Sequence, residues 1–201
     1  MITTIIFDFG DIFINLDKER FKKSFQNLGL QQLNDDLLAQ NDLYEKGMLT
    51  EDEFLTSFQK YLPTTNLIQI KAAWNSIIGD FPEERLEFLQ LLSQKYRLFL
   101  LTNTDKTHIQ HFEDAVGISF YSAFYQCFEK VFYSYELRLR KPDAAIFSKI
   151  INNYNLNPKN TLFVDDKSEN TDAAKKLGLH VWNLQVGQED VTELFEKVSF
   201  I

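Results

Sequence analysis

The chain has 201 residues, a formal net charge of −8 and 44% hydrophobic residues. This length allows one α/β core and a modest accessory lobe, and this hydrophobic content excludes an intrinsically disordered chain. The negative charge disfavours nucleic acid as a partner, because it repels a phosphate backbone.

Strands and helices alternate along most of the chain. The first predicted strand is Thr3 to Phe7. Further strands are predicted at 97–101, 131–133, 161–164 and 180–184, and helices after Pro82, at 144–154 and at 172–177. This alternation predicts an α/β fold with a doubly wound parallel sheet.

A purely helical pattern separates the first strand from the second. Phe21, Phe25 and Leu28 recur at helical spacing, and Thr50 to Glu53 is typical of a capping box that opens a helix. We therefore predict that residues 1–16 and 81–201 form the α/β core and that residues 17–80 form a helical insertion.

Three of the apolar runs end abruptly in an acidic or hydroxyl residue. These residues are Asp8, Thr102 and the pair Asp165 and Asp166. Ligands bind outside the carboxyl ends of the strands in open α/β sheets, so we expect these groups to meet. Carboxylates about 4 Å apart repel by roughly 4 kcal/mol at an effective dielectric of 20, which requires a cation there. Oxygen ligands favour Mg²⁺. Asp8 is a candidate nucleophile, because a carboxylate can attack phosphorus, and Lys141 would add positive charge beside the phosphoryl group.

In their order along the chain, these pieces resemble the four motifs of the haloacid dehalogenase superfamily. The resemblance covers the whole chain and implies a Rossmann-like core with a small inserted helical cap. It implies that Asp8 is the nucleophile, that Thr102 and Asn103 hold the phosphoryl group, and that Lys141 steadies it.

The resemblance also implies a Mg²⁺ site. Asp8, Asp166 and the main-chain carbonyl of Gly10 would bind the metal. Asp165 would be either a further metal ligand or a group that holds the ligands, and Asn170 would orient a metal-bound water.

Gly10 departs from the pattern of most phosphatases of the superfamily, which carry an acid/base aspartate at this position. General acid–base catalysis typically contributes about 10²- to 10⁴-fold. Asp11 is one residue too far along and should point away from Asp8 unless the backbone turns sharply. The chain resembles the subset of glucose-1-phosphate phosphatases, which also have glycine there, in the stretches 44–47 and 139–142.

The predicted cap should select the substrate by closing over the site. Trp74, Asn75 and Tyr44 are candidate substrate contacts, because aromatic rings can pack on a sugar and amides can bind its hydroxyls. An aromatic residue on an amphipathic helix is equally typical of a hydrophobic core.

The resemblance thus predicts a Mg²⁺-dependent phosphatase that forms an aspartyl-phosphate from a small phosphorylated metabolite, such as a sugar phosphate. Two alternatives stay open: a 2-haloacid dehalogenase, which the acidic pair disfavours, and a weakly catalytic phosphosugar-binding or regulatory protein. With no leader pattern and no 18-residue apolar run, we expect a cytoplasmic protein without a membrane partner. The oligomeric state is not predicted.

Overall fold

The computed structural model describes residues 1–199, so residues 200 and 201 of the predicted core lie outside the described part. Its strands are Thr4–Phe7 (β1), Arg97–Thr102 (β2), Lys130–Tyr133 (β3), Thr161–Asp165 (β4) and His180–Asn183 (β5). They form one sheet in the order β3-β2-β1-β4-β5, and every pairing is parallel. The predicted doubly wound α/β fold is confirmed.

Helices connect the strands. The α-helices are Lys18–Leu28 (α1), Asp35–Glu45 (α2), Glu51–Ser57 (α3), Leu67–Asn75 (α4), Glu83–Ser93 (α5), Lys106–Val116 (α6), Ile118–Tyr125 (α7), Ser134–Leu137 (α8), Ala144–Asn153 (α9), Ser168–Lys176 (α10) and Leu194–Lys197 (α11). Short 3₁₀ turns lie at Phe58–Lys60, Pro158–Asn160 and Val191–Glu193. No helix within residues 1–199 combines the length and apolar content needed to cross a bilayer.

Both faces of the sheet are buried. Along β1, Ile5 and Phe7 join one hydrophobic cluster while Ile6 joins another, because successive side chains of a strand point to opposite faces. Parallel sheets covered by helices on both sides carry such continuous apolar strands. The nucleophile predicted at Asp8 therefore follows the central and most enclosed strand.

Helices α1 to α4 pack around a hydrophobic cluster of their own. Phe54 lies at its centre, with its ring stacked on Tyr44 at 4.3 Å and edge-on to Trp74 at 4.8 Å. The predicted capping box opens α3, since Thr50 and Glu53 exchange side-chain and backbone hydrogen bonds. Asn66 and Gln69 form a second box at the start of α4.

Two chain segments join this helical lobe to the sheet, and they run side by side. Leu16 and Ile78 form an antiparallel bridge, flanked by hydrogen bonds from Gly79 N to Asn15 O and from Asp17 N to Ile77 O. A Cβ atom at Gly79 would lie 2.5 Å from the carbonyl oxygen of Asn15. Only glycine permits this close approach of the two segments.

Helix α10 begins at Ser168, earlier than the predicted Asp172. The backbone N–H of Lys167, just before the helix, donates to Asp165 Oδ1 at 2.8 Å. Lys167 occupies the capping position, and its side chain cannot accept a hydrogen bond from the first N–H groups of the helix. The sequence therefore has no capping residue that marks this start.

Candidate active site

The carboxyl ends of β1, β2 and β4 lie next to one another. Phe7 is paired with Leu100 on one side and with Val164 on the other. This register brings the residues that follow, Asp8 and Thr102 among them, to one edge of the sheet. The expected convergence of the strand ends is therefore present in the structure.

Three carboxylates and one ammonium form the centre of this edge. Oxygens of Asp8, Asp165 and Asp166 all lie within 4.8 Å of one another. Lys141 Nζ lies 2.8 Å from Asp8 Oδ1 and 2.7 Å from Asp165 Oδ2. With all three carboxylates ionised, the single ammonium leaves an excess of two negative charges. The atoms of the cluster that could bind a metal are all oxygens. This set of groups fits a hard divalent cation.

Burial and the neighbouring charges together set the ionisation of these groups. It raises the pKa of Asp8 to about 7, with Lys141 acting against the rise and Asp165 adding to it. Burial likewise raises the pKa of Asp166, and the charge of Asp165 raises it further. Burial alone would lower the pKa of Lys141, but Asp165 and Asp8 outweigh it, so that pKa is raised. Lys141 is therefore a stable positive centre.

Asp165 and Asp166 occupy different environments despite being neighbours. Asp165 is fully buried, and its two oxygens accept hydrogen bonds from Lys141 Nζ, Lys167 N and Asn170 Nδ2. Asp166 is half-buried and lines the cavity beside Asp8, whereas Asp165 does not. Asp166 is thus the better placed of the two to meet a ligand, and Asp165 positions Lys141.

The side-chain amide of Asn103 is hydrogen-bonded to the backbone of Lys141. Its Nδ2 donates to the carbonyl oxygen of Lys141 and its Oδ1 accepts from Lys141 N, both at 2.8 Å. The side-chain amide is thereby engaged in holding the Lys141 backbone, while Thr102 and Asn103 both line the cavity. The groups of Asn103 that could still donate to a phosphoryl group are the second proton of Nδ2 and the backbone N–H.

Gly10 lines the cavity without a side chain, and the backbone turns sharply after it. Asp11 has a left-handed φ of 57°, so its side chain does not follow the alternation of an extended chain. Its carboxylate lines the cavity but accepts from Leu16 N at 3.0 Å and from Lys18 Nζ at 2.8 Å. The backbone thus makes the sharp turn that would allow Asp11 to face the cavity. The carboxylate of Asp11 is ion-paired with Lys18.

The three predicted substrate contacts lie in different places. Trp74 lines the cavity, although it is also part of the cluster of the helical lobe, and its Nε1 donates to Asp105 Oδ2 at 3.0 Å. Tyr44 and Asn75 are buried and are not among the residues that line this cavity. The hydroxyl of Tyr44 is hydrogen-bonded to Thr107 instead. Their positions give no support to direct substrate contact.

Several residues that were not predicted from the sequence also line the cavity, and His108, Asn41 and Glu45 are among them. His108 stacks on Trp74 with a centroid distance of 5.0 Å and lies 3.1 Å from Asp105 Oδ2. Asn41 and Glu45 are four residues apart in α2. That spacing places them on one helix face, which is the signal that could have identified them.

The cavity has a volume of about 300 Å³ and is bounded by both the sheet edge and the helical lobe. This lies at the lower end of the range for ligand pockets, roughly 300–1,000 Å³, which favours a small metabolite.

Residues 2–178 match the sequence family described as haloacid dehalogenase-like hydrolase. D-ribitol-5-phosphate phosphatase of Bacteroides thetaiotaomicron is 28% identical over 200 residues, covering 96% of this chain and 97% of the relative. A HAD family enzyme of the same organism, crystallised with magnesium and inorganic phosphate, is 32% identical with a TM-score of 0.84, covering 97% of this chain and 100% of that one. A HAD-like family hydrolase of Porphyromonas gingivalis is 26% identical with a TM-score of 0.83, covering 98% and 97%. These similarities extend over both the sheet and the helical lobe.

Proposed function

Because the chain belongs to the haloacid dehalogenase-like hydrolase family, we propose that this hydrolase is a Mg²⁺-dependent phosphatase acting on a small sugar or polyol phosphate. The observation that carries the proposal is the cluster of Asp8, Asp166 and Lys141 at the edge of a small cavity. The phosphatase activity for which one relative is named and the magnesium and phosphate bound by a similar structure support it.

In the proposed reaction, a carboxylate oxygen of Asp8 attacks phosphorus, and the bond from phosphorus to the ester oxygen breaks. The leaving alkoxide takes a proton from solvent, and water then hydrolyses the aspartyl-phosphate to release phosphate. Lys141 stabilises the negative charge that develops on the transferring group. Bound Mg²⁺, held by Asp8, Asp166 and the carbonyl of Gly10, would neutralise the phosphoryl oxygens.

We further propose that residues 17–80 act as a cap. Trp74 contacts Asp105 and His108 of the core, and Arg140, next to Lys141, pairs with α2 at Asp42 and Glu45. A lobe that shares the cavity wall with the strand ends can exclude water from the site and contact the leaving group.

Phosphate release provides the test, measured with p-nitrophenyl phosphate and a panel of sugar and polyol phosphates that includes D-ribitol 5-phosphate. We expect turnover with Mg²⁺, loss of turnover with a chelator, and a fall of at least about 10⁴-fold in Asp8→Asn. Metal-independent turnover, or activity retained by Asp8→Asn, would contradict the mechanism. Binding of a phosphosugar without turnover would instead favour a binding protein.

A further inference from the structure

The helical lobe supplies one wall of the active-site cavity, and this wall is largely apolar. Its apolar members are Phe21, Leu33, Trp74, Ile77 and Ile78. The polar members are Lys18, whose ammonium is paired with Asp11, and the two side chains Asn41 and Glu45 of α2. Asn41 and Glu45 thus form a local polar patch in a hydrophobic wall.

Both residues of this patch have an acceptor atom without a hydrogen bond. Asn41 Nδ2 donates to Glu45 Oε1 at 3.4 Å, which orients the two side chains toward each other. Asn41 Oδ1 and Glu45 Oε2 are buried, and neither takes part in a hydrogen bond with any group of residues 1–199. Buried polar atoms in folded proteins nearly always have a hydrogen-bond partner, so these two acceptors, on residues that line the cavity, point to a ligand that brings donors.

Arg140 fixes the position of Glu45 and favours its charged form, although burial raises the pKa of this carboxyl. Its Nη2 forms an ion pair with Glu45 Oε2 at 2.7 Å, and its Nη1 lies 2.9 Å from Asp42 Oδ1. Because Arg140 directly precedes Lys141, this pairing joins the patch to the loop that carries the catalytic ammonium. The stretches 44–47 and 139–142, which resemble the glucose-1-phosphate phosphatases, meet at this contact.

Resting on the phosphatase function proposed above, we propose that Asn41 and Glu45 accept hydrogen bonds from hydroxyl groups of the leaving alcohol. These residues thereby select polyhydroxylated phosphate monoesters over esters that carry a carboxylate or a second phosphate. Hydroxyl groups can donate to both acceptors, whereas an anionic group has no proton to donate and is repelled by the carboxylate form of Glu45. The apolar side chains around the patch accommodate the carbon backbone of the alcohol.

The test compares kcat/KM for D-ribitol 5-phosphate, ethyl phosphate and phosphoglycolate in the unmodified protein, Asn41→Ala and Glu45→Gln. We expect each substitution to lower the ratio of ribitol phosphate to ethyl phosphate by about 10-fold or more. Glu45→Gln should also raise the relative rate with phosphoglycolate, because it removes the repelling charge. Glu87→Gln, the same change at an exposed position of α5 outside the cavity, should leave both ratios as they are.

Ratios that stay within about twofold in both variants, with melting temperatures preserved, would overturn the inference. A preference of the unmodified protein for phosphoethanolamine over ribitol phosphate would overturn it too, since Glu45 would then bind an ammonium group. If no ester is hydrolysed, the phosphatase proposal fails. The role of Asn41 and Glu45 is then tested separately, by measuring ligand affinities with calorimetry in the Asp8→Asn background. Weaker binding of ribitol phosphate, but not of ethyl phosphate, after Glu45→Gln supports it, and equal effects on both ligands overturn it.

Discussion

At Asp8, the protein environment opposes the charge that the proposed nucleophile needs. Burial raises the pKa of this carboxyl to about 7, despite the neighbouring Lys141. An unfolded chain would ionise the same group near pH 4. The folded protein therefore retains a proton that the unfolded chain has already released, and the free energy of unfolding falls as pH rises between these two values. Above about pH 7 this loss is complete.

Asp8→Asn should accordingly stabilise the fold in alkaline solution. Asparagine cannot ionise, so the free energy of unfolding of the variant should exceed that of the unmodified protein by up to about 4 kcal/mol at roughly pH 8. Near pH 4 the two values should be almost equal. Chemical denaturation at both pH values with a chelator present measures the difference. Asp35→Asn, at an exposed position of α2, is the control. Equal stability of Asp8→Asn and the unmodified protein at the higher pH would mean that Asp8 ionises there without cost.

Gly10 lies where most related phosphatases carry an acid/base aspartate, so Gly10→Asp should change the dependence on leaving group. A Cβ atom at this position would meet only the side chain of Leu16, at 3.0 Å, which can move. We expect rates with alkyl phosphates to rise about 10- to 100-fold and rates with aryl phosphates to change little, because only poor leaving groups need the proton. The measurement is the slope of log kcat/KM against leaving-group pKa.

Gly10→Asn provides the control for this change, since it has similar volume and no acid function. A flat slope in the unmodified protein would instead show that another group already supplies the proton. Asp11 would then be the first residue to test, because it lines the cavity.

Among the elements, the two paired segments that join the helical lobe to the sheet are sensitive to a small change. In Gly79→Ala, the new methyl group would lie 2.5 Å from the backbone oxygen of Asn15, which cannot move without breaking the bridge. We expect a loss of roughly 1–3 kcal/mol in unfolding free energy. Gly10→Ala is the matched contrast, because its methyl group meets only a side chain. Equal stability of Gly79→Ala and Gly10→Ala would show that the paired segments separate at little cost.

The local sequence identifies some elements much better than it identifies their relative placement. Thr50 and Glu53 form the predicted capping box because both partners lie within one turn. The contribution of α2 to the cavity depends instead on the long-range pairing of Arg140 with Asp42 and Glu45. No local pattern specifies that contact.

For the whole molecule, the excess of negative charge at the strand ends predicts that Mg²⁺ stabilises the fold. A ligand that binds only the folded state at about 100 times its Kd contributes about 2.7 kcal/mol. For a chain of this size we expect a rise of roughly 5–10 °C in melting temperature, measured by calorimetry at matched ionic strength. Asp166→Asn should show a much smaller rise. The same rise in Asp166→Asn would place the stabilising metal elsewhere.

The parallel sheet and the meeting of its polar strand ends could be predicted because they follow from simple rules. Apolar runs ending at Asp8, Thr102 and Asp165 indicate buried parallel strands, and parallel strands present their carboxyl ends at one edge. Contacts between the lobe and the core follow no such rule. The prediction of Tyr44 and Asn75 as substrate contacts rests on the chemistry of their side chains alone, and neither residue lines the cavity.

The location of Asp8 at the end of the central strand has a consequence for hydrogen exchange. Strand β1 is bonded on both sides, and Asp8 N donates to Val164 O. Amides so enclosed exchange with deuterium only when the whole domain unfolds, whereas a peripheral group of helices can open at lower free energy. We therefore expect α2 to exchange early and β1 to exchange last. The groups proposed for chemistry would then remain assembled through openings of the lobe that admit substrate and release product.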